Sequence, residues 1–136
     1  MNLVASISLA VVMGQVAHSK LHRVVVEVNV PGNAAYGTVL NNALNLKKAF
    51  APELVRIEVV CHGEGIGMLL VQPGRVNDLI RKAHDQKIEF VACNNTLRGK
   101  KIDRKKLYPF VQIVPSGVAE VVHKQEDGWS YLKGAY

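Results

Sequence analysis

A length of 136 residues predicts a single domain, because one hydrophobic core can serve a chain of this size. The composition, 49% hydrophobic and 21% charged, is that of an ordinary globular protein and excludes a largely disordered chain. The net charge of +6 indicates an acidic partner, a nucleic acid or an anionic surface. The two cysteines are too few for a disulfide framework and lack the spacing of a zinc site.

The first 19 residues contain no Lys, Arg, Asp or Glu, and residues 3–13 are mostly apolar. This run is too short to span a bilayer but suits the core of a secretory signal, and Ala17 and Ser19 are small residues at the positions that a signal peptidase reads. No basic residue precedes the run, so an upstream extension or a terminal helix docked on the core is the alternative. We therefore divide the chain into a signal-like or extension segment, 1–21, and a domain, 22–136. This start favours export to the periplasm over a cytoplasmic location.

Patterns typical of strands and helices alternate along the domain. Branched apolar runs bounded by turn residues predict strands, and apolar residues at helical spacing predict amphipathic helices. The predicted strands are 23–30, 55–60, 87–93 and 111–114, with a turn and short strand at 128–132. The predicted helices are 36–50, 75–86 and 118–124, with a short apolar turn or helix at 66–71 and a short helix at 103–107. Asp103 and Ser116 are expected to cap the helices that follow them.

This alternation predicts an α/β fold in which helices cover both faces of a five-stranded, mainly parallel sheet. For five strands we predict the order 2-1-3-4-5, whose winding reverses between the first and third strands. Ligands bind beyond the carboxyl ends of the strands at such a reversal.

Cys93 ends the third predicted strand and therefore lies at this crevice. Asn94, Asn95 and Thr96 follow it, residue types that begin turns or helices and can present backbone N–H groups to the thiol. Together with the basic run that starts at Arg98, these donors favour the thiolate, which is the nucleophilic form. The alternative is that Cys93 is a small apolar residue at the end of a core strand.

Asn29 ends the first strand beside Cys93, and His62 ends the second strand one place further out. His62 is a candidate to stabilise the thiolate or carry a proton, and the alternative is a turn histidine bonded to backbone. The predicted order separates Cys61 from Cys93 by two strand spacings, about 9.6 Å, so we expect no disulfide between them. Cys61 is interpreted as a core thiol.

Three other motifs favour structural roles. Residues 63–68 lack the third glycine of a dinucleotide-binding loop, and Ser116 lacks the setting of a hydrolase nucleophile. The basic segment 98–106 has no interleaved aromatic residue until Tyr108, so a solvated face or a docking surface for an acidic protein is favoured over nucleic-acid binding.

Six segments in order resemble the DsrE/DsrF-like family of small sulfur-relay proteins, and the resemblance covers the domain from His22 onward. The segments are 24–29 (VVVEVN), 40–46 (LNNALNL), 62–66 (HGEGI), 90–97 (FVACNNTL), 114–118 (VPSGV) and 125–131 (QEDGWSY). The resemblance implies a flavodoxin-like three-layer sandwich and homo-oligomers such as trimers or hexamers. It also implies a cysteine that carries sulfur as a persulfide between partner proteins, and Cys93 is the residue that matches it.

The prediction is a persulfide carrier, with sulfurtransferase-like activity, in which Cys93 reacts and His62 assists. Asn29, Asn94, Asn95, Thr96 and Arg98 are the predicted binding residues. Sulfur donor and acceptor proteins would dock on segment 98–106. No cofactor, metal, DNA or membrane span is expected. The alternative is a non-catalytic oligomeric module that binds a small anion or nucleotide in the same crevice.

Overall fold

The computed structural model describes residues 20–136. The predicted signal-like segment therefore lies, apart from its last two residues, outside the described part of the chain. Within 20–136 no helix is both long enough and apolar enough to cross a bilayer.

Five strands and four α-helices alternate along the described chain. The strands are β1 (Leu21–Val28), β2 (Leu54–Cys61), β3 (Glu89–Cys93), β4 (Gln112–Val114) and β5 (Ser130–Lys133), and the helices are α1 (Asn33–Phe50), α2 (Arg75–Asp85), α3 (Asn94–Gly99) and α4 (Gly117–Glu126). Short 3₁₀ helices cover Gly63–Leu69 and Arg104–Lys106. Each predicted element is present, and α3 is an additional helix.

The predicted caps are confirmed. The Ser116 hydroxyl accepts a hydrogen bond from the Ala119 N–H at 3.3 Å, at the start of α4. The Asp103 carboxylate accepts from the Lys105 N–H at 2.9 Å, at the start of the second 3₁₀ helix. Both side chains satisfy N–H groups that the first turn of a helix leaves unpaired.

The α/β fold is confirmed, with all five strands parallel in the order β4-β3-β2-β1-β5. This order corresponds to the predicted arrangement in placing one strand on one side of β1 and three on the other. The identity of the neighbours differs: the lone strand is β5, and β2 lies between β1 and β3. Strands β1 to β3 each pair with the strand that follows in the chain, whereas β5 returns to pair with β1 at the edge opposite β4.

The two faces of the sheet carry different cores. One face packs against α1 and α2 through a large cluster that includes Ile57, Val59 and Phe90. The other packs against α4 through a small cluster of Val25, Val60, Val91, Val121 and Trp129. Because side chains alternate along a strand, neighbours in the chain contribute to opposite clusters.

The register of β2 against β3 fixes the positions of the two cysteines relative to each other. Cys61 pairs with Ala92, so Cys61 and Cys93 lie on adjacent strands, and the predicted gap of two strand spacings is wrong. Cys61 belongs to the large cluster with Ala92, whereas Cys93 alternates with Ala92 and faces α4. Both thiols are free because they point to opposite faces of the sheet.

Candidate functional site

Cys93 lies where two helices begin. It is the last residue of β3 and the N-cap of α3, in an extended conformation (φ −74°, ψ 116°). It also lies against Gly117, the first residue of α4: a Cβ at Gly117 would come within 3.1 Å of the Cys93 Cβ. The unpaired N–H groups and positive dipole ends of both helices therefore converge on one sulfur atom.

These donors lower the pKa of the Cys93 thiol. Burial alone would raise it, but hydrogen bonds from the Gly117 N–H, from the Thr96 hydroxyl and N–H, and from the Asn95 N–H outweigh burial. All of these groups stabilise the thiolate, so the sulfur is nucleophilic nearer neutral pH than an ordinary cysteine.

Thr96 is itself held in place. Its hydroxyl oxygen accepts a hydrogen bond from the Gly63 N–H at 2.9 Å. Because a hydroxyl has one proton to donate, this contact leaves the Thr96 O–H free for Cys93. The turn after β2 thus orients the donor that stabilises the thiolate on β3.

The thiol lies below the surface. Cys93 is 5% exposed, although it lies at the carboxyl-terminal edge of the sheet. The loop and first turn of α4 account for this burial, since Gly117 packs directly on the Cys93 Cβ. Cys61 differs from Cys93 in kind, because it is fully buried and burial raises the pKa of its thiol with no compensating hydrogen bond.

His62 lies on the other side of Gly117. A Cβ at Gly117 would be 3.0 Å from the His62 Cβ and 3.5 Å from its Cγ. His62 follows the end of β2, the strand next to β3, so it lies one strand nearer to Cys93 than predicted. Gly117 separates the two side chains and allows both to face α4.

The His62 imidazole is anchored to β1 and β5. Its Nε2 lies 2.6 Å from the Glu27 Oε1, and the Tyr131 hydroxyl donates to the Glu27 Oε2 at 2.5 Å. Burial alone would raise the pKa of Glu27, but the hydrogen bonds from Tyr131 and His62 outweigh it and hold that pKa below its ordinary value. The hydrogen bond to Glu27 raises the pKa of Tyr131 to about 12, so the phenol keeps its proton. Side chains from four adjacent strands or strand ends thus form a row: Cys93, His62, Glu27 and Tyr131.

A family model described as the DsrE/DsrF-like family matches residues 24–133, which is all of the sheet and its helices except the first three residues of β1. The chain belongs to the DsrE/DsrF-like family. Two solved structures extend the comparison. A protein of unknown function, MTH1491 from Methanobacterium thermoautotrophicum, is 31% identical, with 82% of this chain and 98% of that chain covered and a TM-score of 0.75. The ychN protein from E. coli shares the fold at 15% identity, with the same coverage of both chains and a TM-score of 0.64. No curated protein matches the sequence.

The predicted binding residues of this DsrE/DsrF-like protein are distributed unevenly around Cys93. Asn95 and Thr96 contact the thiol, as described above. Asn94 instead accepts a hydrogen bond from Arg104 at 2.8 Å, which ties α3 to the second 3₁₀ helix. Arg98 is exposed on α3. Asn29 follows β1, and β2 separates that strand from β3, so the predicted adjacency of Asn29 and Cys93 is wrong.

The basic segment 98–106 lies on the chain directly after the site. Lys100 pairs with Glu64 at 2.5 Å, and Arg104 is engaged by Asn94. Arg98, Lys101, Lys105 and Lys106 are exposed and form no side-chain ion pair within residues 20–136. Four cations are therefore free to contact a partner.

No group of three His, Cys, Asp or Glu side chains that could hold a metal ion occurs within the described residues. A cavity of about 550 Å³ lies at the other end of the sheet, lined by the beginnings of β1, β2 and β3 and by Phe110. It is remote from Cys93, which ends its strand. The site itself presents the Cys93 thiol, the His62 imidazole and the hydrogen-bond donors of Gly117, Asn95 and Thr96.

Sequence reasoning missed Glu27, Tyr131 and Gly117. Glu27 did carry a signal, since it is the one charged residue within the apolar run 24–30. A carboxylate in the middle of a buried strand requires hydrogen-bond partners. Its partners, however, come from the residue after β2 and from within β5, and only the strand order brings these strands to β1.

Proposed function

We propose that this protein carries sulfur as a persulfide on Cys93 and passes it to a partner thiol. One observation carries the proposal: the Cys93 sulfur receives hydrogen bonds from the first turns of both α3 and α4, and its pKa is lowered although it is buried. A structural core cysteine has no need of such donors, as Cys61 illustrates. Membership of the DsrE/DsrF-like family supports a role in sulfur relay.

The proposed mechanism has two balanced steps and needs no oxidant. In loading, the Cys93 thiolate attacks the outer sulfur of a donor persulfide, the donor S–S bond breaks, and the donor sulfur leaves as a thiolate. In release, an acceptor thiolate attacks the outer sulfur of the Cys93 persulfide, and the Cys93 thiolate leaves. The donors from Gly117 and Thr96 favour both steps because they stabilise Cys93 as nucleophile and as leaving group.

The partners are proposed to dock on the basic segment 98–106, where Arg98, Lys105 and Lys106 are exposed. We also propose that the protein assembles as a trimer or hexamer. Exposed apolar side chains on α4 and β5, namely Val118, Val122 and Leu132, support self-association.

The test is persulfide labelling of single-cysteine variants. After incubation with polysulfide, mass spectrometry read per cysteine is expected to find the added sulfur on Cys93. Cys93→Ser is expected to lose the label, and the matched variant Cys61→Ser is expected to retain it. Equal labelling of the two variants would reject the assignment.

The alternative function is a non-catalytic oligomeric module that binds a small anion or nucleotide. The 5% exposure of Cys93 favours this alternative, because a carrier must admit a second sulfur atom. Alkylation separates the two functions. A carrier is expected to react with iodoacetamide at Cys93 faster than free cysteine does near neutral pH. Slower alkylation of Cys93 would support the binding module.

A further inference from the structure

The hydrogen bonds in the row from Tyr131 to Cys93 determine which nitrogen of the neutral His62 ring carries the proton. Glu27 receives one hydrogen bond from Tyr131 and lies 2.6 Å from the His62 Nε2. Both Glu27 oxygens therefore act as acceptors, and the carboxylate keeps its charge because those hydrogen bonds outweigh its burial. An ionised carboxylate can only accept, so Nε2 must carry a proton. In the neutral ring, Nδ1 is then left with a lone pair.

Nδ1 is bonded to Cγ, the ring atom that lies 3.5 Å from the position of a Gly117 Cβ. Gly117 in turn lies against Cys93, at 3.1 Å from the same position to the Cys93 Cβ. The imidazole is thus attached beside the Gly117 contact that also touches Cys93, and its protonated nitrogen faces Glu27 on β1. The side chains of His62 and Glu27 are 17% and 19% exposed, so bulk water screens their interaction only in part.

We propose that Glu27 and Tyr131 are positioning residues that hold the His62 imidazole as a general base for the incoming acceptor thiol. The inference rests on the proposed sulfur transfer and concerns its release step. The acceptor sulfur bonds to the outer sulfur of the Cys93 persulfide, the bond from that sulfur to Cys93 breaks, and the Cys93 thiolate leaves. The acceptor's proton goes to Nδ1, and Glu27 stabilises the imidazolium that forms.

The decisive variant is Glu27→Gln. A Gln amide is nearly the same size but can donate to Nε2, which moves the ring proton to Nδ1 and removes the base. Persulfide-loaded protein is mixed at neutral pH with either 2-mercaptoethanol, which is mostly protonated, or thionitrobenzoate, which is already a thiolate. We expect Glu27→Gln to slow release to 2-mercaptoethanol by at least about tenfold and release to thionitrobenzoate by less than about twofold.

Tyr131→Phe and His62→Gln complete the series. Tyr131→Phe removes one of the two donors to Glu27 and is expected to slow release to 2-mercaptoethanol by a smaller factor, about threefold. His62→Gln is expected to match the loss in Glu27→Gln, and the double variant to lose no more than either single variant. This non-additivity is expected of two residues that act as one unit.

The outcomes are distinguishable from failure of the proposed function. Loading with polysulfide is measured first, and a wild-type protein that gains no sulfur on Cys93 rejects sulfur transfer itself. If loading is normal, a variant that slows release to both thiols equally has a structural effect only, and the base assignment is overturned. Unchanged release to 2-mercaptoethanol in both Glu27→Gln and His62→Gln also overturns it. His62→Gln keeps the question decidable if Glu27→Gln fails to fold.

Discussion

Gly117 is the residue on which the geometry of the site depends most closely. A Cβ there would lie 3.0 Å from the His62 Cβ and 3.1 Å from the Cys93 Cβ. Both neighbours are held by their strands and cannot rotate away, because a Cβ moves only with its backbone. The absence of a side chain at 117 thus allows α4 to bring its first N–H to the thiol.

We therefore expect Gly117→Ala to damage both stability and reactivity. The forced shift of α4 is expected to cost about 2 kcal/mol of unfolding free energy, measured by urea denaturation. It also lengthens the hydrogen bond from the residue 117 N–H, so the pKa of Cys93 is expected to rise and its alkylation near neutral pH to slow several-fold.

Gly37→Ala is the matched control. Gly37 lies within α1, where a Cβ would meet no atom within 4 Å, and alanine is the better helix former. This variant is expected to be as stable as the wild type or more stable by about 0.5 kcal/mol, with unchanged alkylation of Cys93. A Gly117→Ala protein that behaves in the same way would show that α4 does not depend on the close contact.

Residues differ in how far the sequence alone identifies them. Cys93 was predictable because a thiol between an apolar run and polar turn residues marks the end of a strand, and strand ends meet at one edge of a parallel sheet. Glu27 was not, because its role depends on His62 and Tyr131, which are 35 and 104 residues away along the chain. Only the folded sheet brings such distant residues within hydrogen-bond distance.

Among the elements, α4 is attached to the sheet by few apolar residues and one buried ion pair. Val121 and Trp129 supply the apolar contact, and Lys124 donates to the buried Glu58 carboxylate at 2.7 Å. Lys124 also lies over the Trp129 ring, 4.5 Å from its centre. The Glu58 Oε1 has no hydrogen-bond partner within residues 20–136, so Lys124 is the main compensation for the buried charge.

Lys124→Met is expected to destabilise the protein by about 3 kcal/mol at neutral pH, because methionine keeps the contact with Trp129 but leaves Glu58 unpaired.

This loss of stability is expected to depend on pH. Burial already raises the pKa of Glu58 above 4.5 in spite of Lys124, and loss of Lys124 raises that pKa further. A raised pKa means that the folded state binds the proton more tightly. Stability from this group is therefore present below 4.5 and is lost as the pH rises through the folded-state pKa. The penalty measured by urea denaturation should shrink as the pH falls from neutral toward 4.5.

The double variant Glu58→Leu/Lys124→Met is the control. Removal of both charges leaves no unpaired charge at position 58, and Glu120, which lies 3.5 Å from Lys124, is partly exposed to water. The stability of the double variant is therefore expected to lie within about 1 kcal/mol of the wild type at neutral pH, with a weaker pH dependence. Equal destabilisation of the single and double variants would show that Lys124 acts by packing and not by pairing with Glu58.

Some elements could be predicted from the local pattern of residues, and others could not. The bounds of α2 were predicted to within one residue because its apolar positions recur at helical spacing and Gly74 precedes it. α3 was missed as a helix because its six residues span less than two turns and bury only Leu97. One neighbour of β1 was also mispredicted, β3 in place of β5, since each crossover could place the next strand on either side of the previous one, and local patterns do not distinguish these choices.

At the scale of the whole molecule, part of the positive charge behind the net charge of +6 is concentrated in the segment that follows Cys93. Four exposed cations, Arg98, Lys101, Lys105 and Lys106, follow Cys93 along the chain, and none forms an ion pair within the described residues. A concentrated positive charge that follows the buried Cys93 along the chain increases the encounter rate with acidic partners. The segment should therefore select the partner, while the hydrogen bonds to Cys93 determine the chemistry.

This division of roles predicts a charge preference in thiol exchange. Two peptides of equal length, one acidic and one basic, each carry a cysteine activated as a disulfide with thionitrobenzoate, whose release reports attack by Cys93. At low salt we expect the acidic peptide to react about tenfold faster, and the ratio to fall toward unity as salt screens the charges.

The triple variant Arg98→Gln/Lys105→Gln/Lys106→Gln should abolish most of the preference without slowing the alkylation of Cys93 by iodoacetamide, which is uncharged. Lys20→Gln/Lys48→Gln/Lys82→Gln removes the same charge from exposed positions outside the segment and should retain the preference. Equal losses in the two triple variants would mean that net charge, and not the segment beside Cys93, selects the partner.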